Sequence, residues 1–270
     1  MRVGAVLVAC LAACLVAAGI VSAQGTPPVV TVTTSQTAAT LQPPGPLAPG
    51  QTRFDIVRSG RGDREVIIGY LRAGVTLEQF TAALRANPDS AIELSHLEGG
   101  TSLTAREERR SVTIDLQPNA QYVALNIAAE NPRDWGVTPF TTTGQPNGAP
   151  RPSADATIRM ADLRFTGDRV LPRNGNVRVR NQGWAPHFAL AAPLRRGATS
   201  ARLGRALRSG NDRALGRVLD FRQTLEVQSL ITRGADTVAQ VRFPRAGRYA
   251  LICFFEGHAE QGMYRIVRVR

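Results

Sequence analysis

Gly247-Arg248-Tyr249-Ala250-Leu251-Ile252-Cys253-Phe254-Phe255-Glu256-Gly257-His258-Ala259-Glu260-Gln261-Gly262-Met263 carries the pattern on which the fold turns. An apolar run ends at Cys253. A loop then spaces Cys253, His258 and Met263 by four intervening residues each, and apolar–Arg alternation resumes in Val267-Arg268-Val269-Arg270. Period-two alternation marks a half-buried strand, so the three residues share one loop between two strands. Upstream, a second alternating run, Val177-Arg178-Val179-Arg180, leads into Asn181-Gln182-Gly183-Trp184-Ala185-Pro186-His187-Phe188.

These two segments gather an unusual share of the soft and imidazole ligands. Beyond residue 23 the chain has one Cys, three His (His96, His187, His258) and two Met (Met160, Met263). Two imidazoles and a thiolate with a weak axial thioether suit a single copper ion cycling between Cu(I) and Cu(II). Zinc would prefer a Cys/His/carboxylate set and has no use for the Met. His96, beside Leu97-Glu98-Gly99-Gly100, reads as a surface residue next to a Gly-rich turn.

The pattern repeats across the chain. A shift of 123 residues lays Arg53–Arg85 on Asn176–Arg208 without a gap, with eight identities in 33 positions, among them Gly74/Gly197 and Thr76/Thr199. Val112-Thr-Ile-Asp-Leu116 and Val241-Arg-Phe243 add further strand signals, and turn residues punctuate them. One helix per half is expected, over Thr76–Ala86 with a Thr76/Gln79 capping box and between Thr199 and Leu219. The expected fold is all-β: tandem Greek-key β-sandwiches, each with a short helical insertion. The expected divisions are a signal peptide over 1–23 and a Thr/Pro-rich lead-in over 24–52 able to add one edge strand. A first sandwich over 53–142, a linker over 143–154 and a metal-binding sandwich over 155–270 follow.

At these residues the second half resembles the cupredoxin family of type 1 blue copper proteins (plastocyanin, azurin, rusticyanin), with loop spacing nearest the rusticyanin type. The resemblance implies a copper site formed by His187, Cys253, His258 and Met263, with electrons passing through the edge of His258. Tyr249, four residues before Cys253, fits the same pattern. Phe188 departs from it, because many members carry there an Asn that ties the two ligand loops together. The first half resembles the same fold without the metal. Arg64, Asn126, Asn131 and Gly136 align with the four ligands, and none is a ligand of that kind.

The N-terminus points to export. Met1-Arg2, an uncharged apolar run and Val21-Ser22-Ala23 read as a signal peptide, leaving no membrane span in the mature chain. A lipid anchor at Cys14 ranks second, so the protein is expected to be secreted, periplasmic or attached to the cell envelope. All 33 positive charges are Arg, and the net charge is +12. Residues 24–142 carry 10 Arg against 12 acids, whereas residues 143–270 carry 22 Arg against nine. That imbalance favours an acidic redox partner or an anionic envelope surface; nucleic acid does not fit an exported chain. No catalytic triad or phosphate loop is present, so one-electron transfer is expected rather than enzymatic activity. Copper capture or delivery, and a metal-free interaction module, are the rival readings.

Overall fold

The computed structural model describes residues 25–127 and 131–270. Residues 1–23, expected to be a signal peptide, and with them Cys14, lie outside the described residues. In the first half the strands are β1 (Val29–Thr34), β2 (Ala39–Gln42), β3 (Gly50–Arg58), β4 (Arg64–Leu71), β5 (Ser95–Leu103), β6 (Arg109–Leu116), β7 (Gln121–Ile127) and β8 (Gly136–Thr141). Helices α1 (Leu77–Ala86) and α2 (Pro88–Glu93) lie between β4 and β5. The second half contains β9 (Ala156–Ala161), β10 (Arg164–Gly167), β11 (Val170–Leu171), β12 (Asn174–Asn181), β13 (His187–Pro193), β14 (Leu225–Ile231), β15 (Asp236–Arg242), β16 (Gly247–Ile252) and β17 (Tyr264–Val269). Its helices are α3 (Ser200–Arg208) and α4 (Asp212–Gly216).

The two halves share one topology. In the first, β2-β1-β3-β6 faces β5-β4-β7-β8; in the second, β10-β9-β12-β15 faces β14-β13-β16-β17-β11. The parallel pair β1/β3 has its counterpart in β9/β12. One apolar cluster fills each sandwich, around Phe54, Ile68 and Tyr122 in the first half and around Val179, Phe243 and Tyr249 in the second. A second cluster in each half seats the helices on the outer face of a sheet. The 123-residue shift reappears in atomic detail. Thr76 and Thr199 both cap helices with their side chains, and Gly74 and Gly197 both adopt positive φ, +81° and +74°. Gln79 completes the capping box on Thr76.

Three expectations need correction. Residues 24–52 supply two whole strands and the start of a third: β2 is an edge strand, but β1 lies inside the sheet between β2 and β3. Val30, Val32 and Thr34 point into the core, an alternation obscured by the Thr/Pro-rich composition. Each half has two short helices, because Asn87 and Asn211 cap a second one. His96 and the residues after it lie in β5, and no turn occurs there. His96 is half-buried, 5.0 Å from the Tyr70 ring and 3.1 Å from Thr232 Oγ1.

The halves are fastened to each other. β6 and β15 pair antiparallel, Thr113 opposite Val238 and Val112 opposite Ala239, fusing two sheets into one of eight strands. Arg110, almost wholly buried, donates to the carbonyls of Ser102, Glu226 and Gln240 at 3.0, 2.8 and 3.2 Å. Thr232 N donates to Leu97 O at 2.9 Å.

The first sandwich also holds a buried acid. Burial pushes the Glu98 carboxyl up to about 8, outweighing the hydrogen bond donated by Tyr122 Oη at 2.7 Å. An acid whose folded pKa is raised favours the native state fully below its ordinary value of 4.5, and that advantage fades as pH rises toward 8. Urea unfolding should therefore show stability falling across that window by on the order of a few kcal/mol. Glu98→Gln should flatten the slope, and an unchanged slope would mean that Glu98 ionises freely in the fold.

Candidate metal centre

β13, β16 and β17 converge at one end of the second sandwich, and the loop between β16 and β17 lies across that end. Cys253 follows the last residue of β16, and Met263 precedes the first residue of β17. Backbone bonds clamp the loop: Cys253 N donates to Met263 O at 3.2 Å, and Met263 N to His258 O at 2.8 Å. The chain reverses through Phe255–Gly257, where Glu256 and Gly257 both take positive φ, 40° and 78°. His187 enters from the first position of β13, opposite Ile231 of β14.

The side chains meet there. One ligand atom from each of His187, Cys253 and His258 lies within 4.8 Å of the others. Both imidazoles present Nδ1, 3.2 Å apart, and Cys253 Sγ lies 4.0 Å from His187 Nδ1 and 3.7 Å from His258 Nδ1. His187 and Cys253 are fully buried, and His258 is 8% exposed. Met263 is fully buried in the apolar core cluster that also contains Cys253. Among the described residues this is the sole such group of three metal-ligating side chains.

The electrostatics suit a cation. Burial, then the neighbouring His258, pulls His187 down to about 4, so its ring stays neutral with a lone pair free to ligate. Burial pushes the Cys253 thiol up, against the pull of the Phe188 and Phe255 backbone. A thiolate in that position needs a bound cation to offset its charge. Two imidazoles and one such sulfur, with no carboxylate among them, fit copper.

The second half is a two-sheet β-sandwich with the His187, Cys253 and His258 group at one end. No family model and no curated protein sequence matches the chain. It is similar to the solved structure of auracyanin B at 20% identity and a TM-score of 0.28, covering 45% of this chain and 93% of that one. The reduced auracyanin of Roseiflexus castenholzii gives 17% identity, a TM-score of 0.29, and coverage of 44% and 99%. A multi-copper oxidase from Pediococcus acidilactici is similar over 90% of this chain and 58% of that one, at 12% identity and a TM-score of 0.26.

Support for the His187, Cys253 and His258 group comes from residues to which the sequence reading gave no role. Phe188 cannot tie the ligand loops together, but Asn181 acts on the His187 loop. Its Nδ2 donates to Ala185 O at 2.9 Å and Ile231 O at 3.0 Å, and its Oδ1 accepts from Gly183 N at 2.9 Å. An Asn two residues before a Gly is a recognisable turn signal. Asp162 Oδ1 accepts from Trp184 N at 2.9 Å and lies 3.4 Å from His187 Nε2, on the ring edge away from the site. That contact joins residues 25 apart, and no local pattern announces it.

Gly183 makes the approach possible. A Cβ there would collide with Asp162 Oδ1 and lie 2.7 Å from His187 Nε2. Gly183→Ala should therefore push the ring off its Nδ1 geometry and lower copper affinity about 10- to 100-fold, the usual cost of disturbing residues that orient a metal ligand. Competitive copper titration checks this, and affinity within twofold of the parent would refute it.

In the first half, the β1–β2 turn closes over the aligned position. Asn126 Nδ2 donates to Ser35 O and Ala38 O at 2.9 and 3.1 Å, and a Cβ on Gly136 would lie 2.8 Å from Thr37 O. Arg64 is buried against its own turn, donating to Asp63 O and Arg61 O. Asn131 caps a short 3-10 turn.

Proposed function

We propose that this protein is an exported type 1 copper carrier of single electrons, not an enzyme, with one ion held by His187, Cys253 and His258 and with Met263 as axial ligand. The observation that carries the reading is the convergence of two Nδ1 atoms and one Sγ in a dry, clamped pocket. Copper there supplies a one-electron couple. The chain's own part is to hold the donors in one arrangement and keep water away from the sulfur. Burial of all three donors favours a carrier over a delivery protein, since handing over the metal calls for open ligands. The strongly basic second half would steer an acidic partner, with association slowing as salt rises.

Adding copper to the purified protein should give an intense visible band and a type 1 EPR spectrum. Slow loss to a Cu(I) chelator, with fast and salt-sensitive oxidation by an anionic oxidant, supports the carrier. Rapid loss to the chelator would favour delivery, and failure to bind copper would leave the interaction-module reading. Met263→Leu should keep the colour and raise the reduction potential by on the order of 59 mV, the value of a tenfold shift for one electron. An unchanged potential on redox titration would remove Met263 from the ligand set.

A further inference from the structure

A cavity of about 350 Å³ lies where the two halves meet, and the metal reading leaves it unused. Its walls come from both sandwiches: Phe80 and Trp135 from the first half, Phe188 and Phe255 from the second. Three carboxyls line it: Glu65 of β4 and Glu226 of β14 within the apolar walls, and Asp89 of α2, which is exposed to solvent. Cores close-packed to crystal density seldom leave a gap of this size, and small-molecule sites begin at about 300 Å³. Aromatic walls with a few convergent polar groups are the usual make-up of such sites.

We propose that this interdomain cavity binds a compact aromatic molecule carrying one uncharged hydroxyl, with the rings of Phe80, Trp135, Phe188 and Phe255 around its body and the Glu65/Glu226 pair on its hydroxyl. The carboxyl pair excludes an anion. Arg110 argues against a cation, since its guanidinium already lies 2.8 Å from Glu226 O and would repel a second positive charge. Ser229 Oγ donates to Glu226 and holds that carboxyl in place. Burial, then the nearby Glu226, pushes Glu65 up to about 8, so near neutral pH the pair retains a proton and can both donate to and accept from a hydroxyl. The cavity adjoins the metal centre, since Phe255 packs edge-on against His258 with ring centroids 5.6 Å apart and Phe188 follows His187 in the chain.

Calorimetry on the full mature chain without metal tests this with three matched probes: biphenyl-4-methanol, biphenyl-4-methylammonium and biphenyl-4-carboxylate. The alcohol should bind one to one, at least tenfold more tightly than either charged analogue. Leu230→Trp and, separately, Ile92→Trp should fill the cavity and weaken the alcohol at least tenfold, with far-UV circular dichroism confirming the fold. Glu65→Gln should stay within threefold of the parent, and Glu65→Leu should lose tenfold or more. No binding of the alcohol, equal or tighter binding of the ammonium probe, or parental affinity in both folded Trp variants would each overturn the proposal.

Discussion

Replacing Cys253 with Ser should abolish the intense visible band of the copper-loaded protein and lower copper affinity by at least about two orders of magnitude, beyond the 10- to 100-fold loss typical of disturbing a supporting residue. The colour of a type 1 centre arises from its thiolate, and Cys253 is the only cysteine among the described residues. The hydroxyl of Ser is a far poorer donor to copper, and in a site with no exposure it also needs a hydrogen-bond partner. The same variant should therefore lose about 1–3 kcal/mol of stability without copper, the cost of burying an unsatisfied polar group. Cys253→Ala separates the two effects: it should be equally colourless, yet less destabilised because it buries no hydroxyl. Visible titration with copper and urea unfolding of both variants provide the check. A Ser variant that stayed blue would overturn the assignment of Cys253 as the thiolate ligand.

The site was legible because its signals are local. Cys253, His258 and Met263 share one loop, and a spacing of four between them can be read without knowing the fold. Thr76 and Thr199 announced their helices through cap chemistry that operates within one turn. What escaped depends on distant partners. β1 and β2 read as a lead-in able to add one edge strand because their Thr and Pro content hid a two-residue period that only a core can use. Gly99 and Gly100 read as a turn, yet they lie inside β5. There a Cβ on Gly99 would lie 2.9 Å from Ile114 Cδ1, and one on Gly100 would lie 3.0 Å from Ile67 Cα. Those glycines mark close approach by neighbouring groups rather than a change of direction. Asp162 and Asn181 went unassigned for the same reason, since their work is done against a strand or loop that folding brings to them.

Arg110 shows how far a global charge count can mislead, and it carries the second large expected effect. In a chain whose every positive charge is Arg, this residue looks like one more surface charge near the start of a strand. It is instead 3% exposed, and its guanidinium bonds three carbonyls, one on β5, one on β14 and one on β15. Two of those strands belong to the second half, so one side chain of the first half fastens the two sandwiches beside the short β6–β15 ladder. Charge-assisted hydrogen bonds of this kind contribute about 1.5–3 kcal/mol each and do not add fully. Arg110→Met keeps much of the volume but leaves the carbonyls of Ser102, Glu226 and Gln240 without this donor, and it should cost about 3–5 kcal/mol. Arg110→Lys should recover only part of that loss, because a compact ammonium cannot span acceptors on three strands as a planar fork does. Differential scanning calorimetry should show the single transition of the parent splitting into two in Arg110→Met, each sandwich unfolding on its own core. A variant within about 1 kcal/mol of the parent and still melting in one step would place the coupling elsewhere, on the Thr232–Leu97 contact and the β-ladder.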